Sequence, residues 1–385
     1  MKLSYNQNKG VFSSLRKVAL VFGTRPEAIK MAPIYLALKR EHIPALVVVT
    51  GQHKEMLRQV TELFGISADH DLQVMTDRQS LSKLTARMTD SLEKIYYGED
   101  IGFTCVQGDT TSAFIAALVS FYHKIPVGHV EAGLRTDSLY DPYPEEANRR
   151  LISVLSNHHY APTRTACENL IREGHSGHQI VVTGNTVIDA LQWIVNNRRD
   201  DLLLKRKGLG IDGREYILMT MHRRENWGDP MRDVVKAVSD IVEKYPDVRV
   251  VFPVHLNPVV REIVYSELGE NPRVILTEPM DYLEFVAAME GARFLMTDSG
   301  GIQEEAPALG KPTLVLRKTT ERPEAIEAGT AKLVGTDRSK VVAEVSHLLD
   351  SEGEYSKMSR ASNPFGDGQA ANRIVKHILK VAFGR

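Results

Sequence analysis

Short β-branched runs alternate along almost the whole chain with segments whose apolar residues recur at helical spacing, and this alternation limits the fold more than any other feature. The first series of candidate strands lies at 18–22, 45–50, 103–107, 127–130, 158–161 and 180–183. A second series lies at 216–221, 248–254, 274–276, 294–297, 313–316 and 332–334. Strands separated by helices in this way build a parallel sheet with helices on both faces. Helical spacing is clear where Val234, Val235, Val238, Ile241 and Val242 share one face, and Val341, Val342, Val345, Leu348 and Leu349 another. Over 385 residues, two such series predict an α/β protein of two Rossmann-like, doubly wound domains. The boundary is placed at Gly184-Asn185, and the apolar stripe Ile374, Val375, Ile378 and Leu379 follows a turn-rich stretch at 363–368 where the chain can cross back. The expected division is 1–184 plus 369–385 against 185–368, with the polar residues 1–16 as a loose extension. Segment 111–122 is apolar nearly all round, as for a helix wedged between its sheet and another layer such as a second subunit.

Charge excludes several function classes. Lys and Arg total 48 against 49 Asp and Glu, a net charge of -1, so no overall field draws the chain to nucleic acid or an anionic membrane. Any phosphate must be gripped locally. The two cysteines, Cys105 and Cys167, form no disulfide framework and no metal-ligand spacing, which fits a reducing cytoplasm. No run approaches the ~18 apolar residues of a membrane span. His158-His159 and His175-x-x-His178 lack the H-E-x-x-H pattern and cysteine partners, so packed or solvated histidines are expected and no metal. Lys205-Arg206-Lys207 reads as a solvated loop, and Trp193 and Trp227 as packing residues.

In parallel sheets ligands sit beyond the carboxyl ends of the strands, and those ends are polar here. Gly23-Thr24-Arg25-Pro26-Glu27 follows the first strand with Lys30 a turn later, placing two cations at a helix start suited to an anion. Two later strands end in Gly108-Asp109 and Val130-Glu131; as sheet neighbours ~4.8 Å apart, they would project two carboxylates into one crevice, as acid/base work requires. Asp141-Pro142-Tyr143-Pro144-Glu145-Glu146 adds acids at another helix start, where Glu146 reads as a dipole partner. In the second series, His222-Arg223-Arg224 ends the first strand. Asp298-Ser299-Gly300-Gly301 ends a later one, with Glu305 a turn on and Arg322-Pro323-Glu324 beyond. Bare glycine amides beside these cations suit a nucleoside diphosphate, and Glu305 suits ribose hydroxyls.

Taken together, GTRPEAIKMAP from Gly23, QGDTTS from Gln107, GHVEAGLRT from Gly128, PEEANR from Pro144, TGNTVIDAL from Thr183, HRREN from His222, PVHLNP from Pro253, TDSGGIQEEAPALGKP from Thr297 and TTERPEA from Thr319 resemble the non-hydrolysing UDP-N-acetylglucosamine 2-epimerases. The resemblance runs from about Lys17 to the end. It implies a GT-B-like pair of domains facing a cleft, usually a homodimer, which interconverts UDP-GlcNAc and UDP-ManNAc without nicotinamide or metal and supplies UDP-ManNAc for cell-surface polysaccharide. The family's nucleotide and sugar contacts fall on Arg25, Lys30, Phe285, Ser299, Gly300, Gly301, Glu305 and Arg322, with His222 on the diphosphate, and its catalytic acids on Asp109, Glu131 and Glu145. Gln107, Asp137 and Asp141 depart from the family pattern, the two aspartates adding negative charge near Glu145. A second UDP-GlcNAc, bound as an activator, would meet Gln52, His53, Arg78 and His255, with Glu55 a departure.

The chemistry so implied is loss of UDP to give 2-acetamidoglucal, then re-addition with protonation of the opposite face. Asp109 is the expected base, with Glu131 and Glu145 as acid or orienting groups. A GT-B glycosyltransferase would share the fold but need an acceptor pocket, a hydrolysing epimerase would release free ManNAc, and a nucleotide-sugar sensor would not call for paired acids.

Overall fold

The computed structural model describes residues 16–51, 54–76, 79–136 and 138–385. Its strands form two sheets. The first comprises β1 (Lys17–Phe22), β2 (Ala45–Val49), β3 (His70–Asp71), β4 (Ile101–Gln107), β5 (Val127–Val130), β6 (His158–Ala161) and β7 (Ile180–Val182), in the order β3-β2-β1-β4-β5-β6-β7. The second comprises β8 (Tyr216–Thr220), β9 (Arg249–Pro253), β10 (Val274–Thr277), β11 (Leu295–Thr297), β12 (Thr313–Val315) and β13 (Ala331–Leu333), in the order β10-β9-β8-β11-β12-β13. Neighbouring strands within both sheets run parallel. The order reverses between β1 and β4 and between β8 and β11, which opens a crevice at each carboxyl edge.

The helices of the first half are α1 (Arg25–Arg40), α2 (Lys54–Leu63), α3 (Leu81–Gly98), α4 (Thr111–Tyr122), α5 (Glu145–Leu155), α6 (Arg164–Arg172), α7 (Thr186–Asn197) and α8 (Arg199–Gly208). Those of the second are α9 (Asp229–Lys244), α10 (Pro258–Leu268), α11 (Tyr282–Gly291), α12 (Gly300–Glu305), α13 (Pro323–Glu327), α14 (Arg338–Asp350), α15 (Glu352–Ser359) and α16 (Ala370–Phe383). One face of the first sheet packs Val21, Val48 and Val106 against Met88, Leu92, Ile115 and Val119 of α3 and α4. Its other face packs Leu20 and Phe103 against Ile34 and Leu38 of α1 and Ile374 and Ile378 of α16. That apolar cluster continues through Ile188 and Leu191 of α7 to Val286 and Met289 of α11, reaching Leu218 of β8. The far face of the second sheet closes over Val234, Val238 and Val345.

The chain passes between the sheets twice, after β7 and before α16. The passages touch: the Asn185 N–H donates to the Phe365 carbonyl at 2.7 Å. A Cβ on Gly184 would lie 3.1 Å from the Gly366 Cα, and both glycines have positive φ (86° and 138°), so this crossing needs residues without side chains.

Two expectations change. The sequence shows no sign of β3, because two residues are too few to make an alternating pattern. Residues 205–207 form the last turn of α8 and not a solvated loop: Lys205 lies 3.1 Å from Asp281 and 2.8 Å from Glu284, and Arg206 pairs with Glu290. The partners come from α11 and its N-cap, remote in sequence, and a helix C-terminus favours cations. Trp193 packs on Phe64 with ring centroids 4.9 Å apart; His129 and His159 are enclosed and His158 is half-buried, burial holding their pKa values down to about 4, about 3 and about 4.

Candidate active site in the cleft

The turn between β1 and α1 is built around Glu27. Its carboxylate accepts from the Gly23 and Thr24 amides at 3.0 and 2.8 Å and from Thr110 Oγ1 at 2.6 Å, tying the start of α1 to the start of α4. A Cβ at position 23 would fall 2.1 Å from Thr50 Oγ1, so glycine is required for this close approach. Arg25 and Lys30 therefore leave a helix start of fixed geometry.

The β4–β5 pairing sets Gln107 beside Val130, so Asp109 and Glu131 leave the sheet as neighbours. Glu131 has φ 62°, a left-handed conformation that costs a non-glycine residue on the order of 1–3 kcal/mol. Its side chain is correspondingly well anchored. Lys30 Nζ donates to both oxygens at 2.7 and 2.6 Å, Asn185 Nδ2 donates at 3.0 Å, and Gln107 Nε2 also donates. Burial opposes the Glu131 charge, but Lys30, Arg322 and Asn185 together hold the carboxyl below its ordinary range. Lys30 is raised in turn, burial working against it and Glu131 for it.

Asp109 behaves oppositely: burial raises its proton affinity although Arg149 Nη2 stands 2.7 Å away, and Glu131 and Glu145 push the same way as burial. Glu145 begins α5, half-buried. Glu146 is fully buried, which a dipole partner alone would not require. It accepts from Arg150 Nε at 2.7 Å and the Thr136 N–H at 3.1 Å, and lies 3.4 Å from Arg149 Nε, locking the preceding loop to α5.

Asp298 organises the facing edge. Fully buried after β11, it accepts from the Arg223 N–H at 2.8 Å, the His222 N–H at 3.0 Å and Asn226 Nδ2 at 3.0 Å, joining two loops across the β8/β11 reversal. Burial pushes the His222 imidazole below its ordinary range, against the pull of Asp298 3.4 Å away. Ser299, Gly300 and Gly301 open α12. At its other end Glu305 accepts from Tyr282 Oη at 2.7 Å, and burial pushes its carboxyl up to about 7. Arg322 bonds to Glu304. Its proton affinity rises because Glu304 and Glu131 more than offset burial.

A cavity of 340 Å³ is lined by Arg25, Lys30, His222, Phe285, Ser299, Gly301 and Glu305, so residues from both sheets converge on it. A Cβ on Gly300 would lie 3.9 Å from Arg223 Nη2 and 4.0 Å from Arg322 Cζ, which places both guanidiniums beside the glycine turn. Lys30 reaches from this cavity to Glu131, and Asp109 lies close enough to Lys30, Glu131 and Glu145 to feel the charge of each. His255 stands at the cleft with its ring 6.3 Å from that of His222, whereas Gln52, His53, Arg78 and Asp137 lie outside the described residues. In the sequence Gln107 stands out only as a departure from the family pattern and Asn185 only as the boundary, while Arg149 and Glu304 carry no role; each sits inside a quoted motif, but only the fold shows which carboxylate or cation it meets. Among the described residues no group of three or more His, Cys, Asp or Glu is placed to hold a metal, and no helix is long and apolar enough to cross a membrane.

Residues 36–379 match the family model for UDP-N-acetylglucosamine 2-epimerase. The chain is 49% identical to the UDP-N-acetylglucosamine 2-epimerase of Bacillus subtilis over 94% of its length and 95% of the relative's, and 50% identical to that of Escherichia coli K12 over 94% and 97%. Among solved structures, it resembles UDP-GlcNAc 2-epimerase from Neisseria meningitidis bound to UDP-GlcNAc (46% identity, TM-score 0.84, 94% of this chain and 100% of that one). It also resembles the Methanocaldococcus jannaschii enzyme in complex with UDP-GlcNAc and UDP (33% identity, TM-score 0.77, 94% and 99%). With its two doubly wound sheets facing a cleft in a GT-B-like arrangement, this chain belongs to the UDP-N-acetylglucosamine 2-epimerase family.

Proposed function

We propose that the protein interconverts UDP-GlcNAc and UDP-ManNAc by elimination and re-addition of UDP. The observation that carries this reading is the pair of neighbouring acids with opposed proton affinities, Asp109 raised and Glu131 lowered, set beside a cluster of cations and glycine amides. The hydrogen on carbon 2 is not acidic in the ground state. As the bond from the anomeric carbon to the diphosphate oxygen breaks, oxocarbenium character acidifies it; a base takes the proton, and the electron pair forms the double bond of 2-acetamidoglucal. Arg25, His222, Arg322 and the amides of Ser299, Gly300 and Gly301 stabilise the leaving diphosphate, while Phe285 and Glu305 hold the nucleoside. Asp109 serves as base, and Glu131 and Glu145 as acid or orienting groups, so that protons are handled on two faces.

The two lobes, 1–184 plus 369–385 and 185–368, close on the nucleotide, with α7 as the connection between them. A second UDP-GlcNAc, met by Gln52, His53, Arg78 and His255, acts as activator; the position of His255 beside His222 supports this. The enzyme works as a homodimer in the cytoplasm and supplies UDP-ManNAc for cell-surface polysaccharide. Proton NMR of UDP-GlcNAc with the enzyme in deuterated water tests the chemistry, without added NAD or divalent metal. Both epimers should gain deuterium at carbon 2. Retention of the original hydrogen would defeat the elimination route, and free ManNAc as the main product would point to hydrolysis.

A further inference from the structure

The proposed leaving-group site and the catalytic carboxylate are joined by an unbroken polar chain that runs through the crossing between the two sheets. Arg322, beside the Gly300 turn, bonds through Nε to Glu304 Oε1. The other oxygen of Glu304 accepts from Asn185 Nδ2 at 2.7 Å, and the same amide nitrogen lies 3.0 Å from Glu131 Oε1. A primary amide has two N–H bonds, so Asn185 gives one to each carboxylate. Its freedom to turn is small: Oδ1 accepts from the Val187 N–H at 3.1 Å to cap α7, and its backbone N–H is fixed on Phe365. Glu304 is itself pinned, its carbonyl accepting from Asn363 Nδ2 at 3.2 Å. Both chain crossings therefore touch Glu304.

We propose that Glu304 is a positioning residue that competes with the nucleotide diphosphate for Arg322 and passes the outcome through Asn185 to Glu131. The proposal rests on the diphosphate and Glu131 assignments above. A guanidinium shared between a buried carboxylate and a multiply charged diphosphate holds each less tightly than it would hold either alone. As the diphosphate draws Arg322 away, the buried Glu304 carboxylate depends more on Asn185, and the amide's share in Glu131 weakens. When UDP leaves, Glu304 recaptures Arg322 and the amide returns. The same charge that weakens nucleotide binding thus speeds product release and ties the state of Glu131 to occupation of the site.

Calorimetric UDP affinity and steady-state kinetics of Glu304→Gln, Glu304→Asp, Asn185→Ala and the double variant Glu304→Gln/Asn185→Ala test this. Glu304→Gln should bind UDP at least fivefold more tightly, with kcat down at least tenfold and KM also lower, the split expected when a competitor for Arg322 is lost. Glu304→Asp keeps the charge and should return UDP affinity to within about twofold of wild type. Asn185→Ala should lower kcat at least tenfold while leaving UDP affinity within threefold, and the double variant should lose no more turnover than the worse single one, because both cut the same chain. UDP affinity that is unchanged or weaker in Glu304→Gln, with Glu304→Asp folded and behaving alike, overturns the competition; multiplicative kcat losses overturn the relay. Failure of the underlying reading looks different: Arg322→Ala would leave UDP affinity intact, or Glu131→Gln would leave turnover intact.

Discussion

Asp109 and Glu131 are neighbours of the same chemical class, yet their surroundings give them different jobs. Glu131 is saturated with donors and held ionised, whereas Asp109 has a single strong cation partner and a raised proton affinity. Asp109→Asn and Glu131→Gln should each lower turnover by about a hundredfold or more, on the order of 3 kcal/mol in the barrier. Deuterium exchange at carbon 2 should fall in parallel, and near-normal turnover of either variant would reduce that residue to a structural acid. Glu305 offers a pH test. Its proton affinity when folded, about 7, exceeds the ordinary carboxylate value of 4.5, so between these pH values the folded protein keeps a proton that the unfolded chain has lost. Stability from this group therefore falls as pH rises through the window. Glu305→Gln should raise Tm by several degrees relative to wild type at pH 8 and by much less at pH 5, at about 1 °C per kcal/mol for a chain of this length. An ionised Glu305 accepts from ribose hydroxyls more strongly than a neutral carboxyl does, so UDP affinity of the wild type should weaken below about pH 7, and that dependence should vanish in the variant. At this scale the sequence reveals charged residues at strand ends but not the amides that connect them. In the sequence Asn185 only marks the boundary between the two series; the fold makes it the cap of α7 and brings Glu304 within its reach.

Elements are more legible than contacts. The β-branched runs locate twelve of the thirteen strands among the described residues to within a residue or two at each end, because buried parallel strands need continuous apolar segments. The failures, β3 and the last turn of α8, are places where a remote partner supplies the order. The start of α16 shows the same dependence. Gln369 gives it no side-chain cap; instead, the Asp189 carboxylate of α7 accepts from the Ala370 and Ala371 N–H groups at 3.2 and 2.8 Å. Asp189→Ala should cost about 2 kcal/mol in urea unfolding. Amide exchange should accelerate selectively over 370–375 while the strands of the second sheet stay protected; a uniform change would show that the cap is not local.

For the whole molecule, the apolar character of 111–122 is only partly used within one chain. Its inner residues pack on the sheet, but Phe121 and Tyr122 remain 58% and 65% exposed, with Tyr97 of α3 and Val154 of α5 at 78% and 77%. A second copy covering these three helices is the occupant expected by the homodimer proposal. Val154→Glu with Tyr122→Glu should therefore convert a dimer to a monomer in analytical ultracentrifugation, and a wild-type chain sedimenting as a monomer at micromolar concentration would remove that part of the proposal. Small-angle scattering should show a smaller radius of gyration with saturating UDP, and His222→Ala should weaken both that change and UDP affinity; an unchanged profile with bound UDP would mean that the cleft is preformed. The placement of α16 also has a consequence during synthesis. One face of the first sheet and α1 are covered by a helix that leaves the ribosome almost two hundred residues after β7, so the first lobe cannot finish burying its apolar surface when its own strands are complete. While the second sheet is translated, the nascent first lobe keeps the site of Ile374 and Ile378 open, and folding of the two lobes becomes a single late event in place of two successive ones.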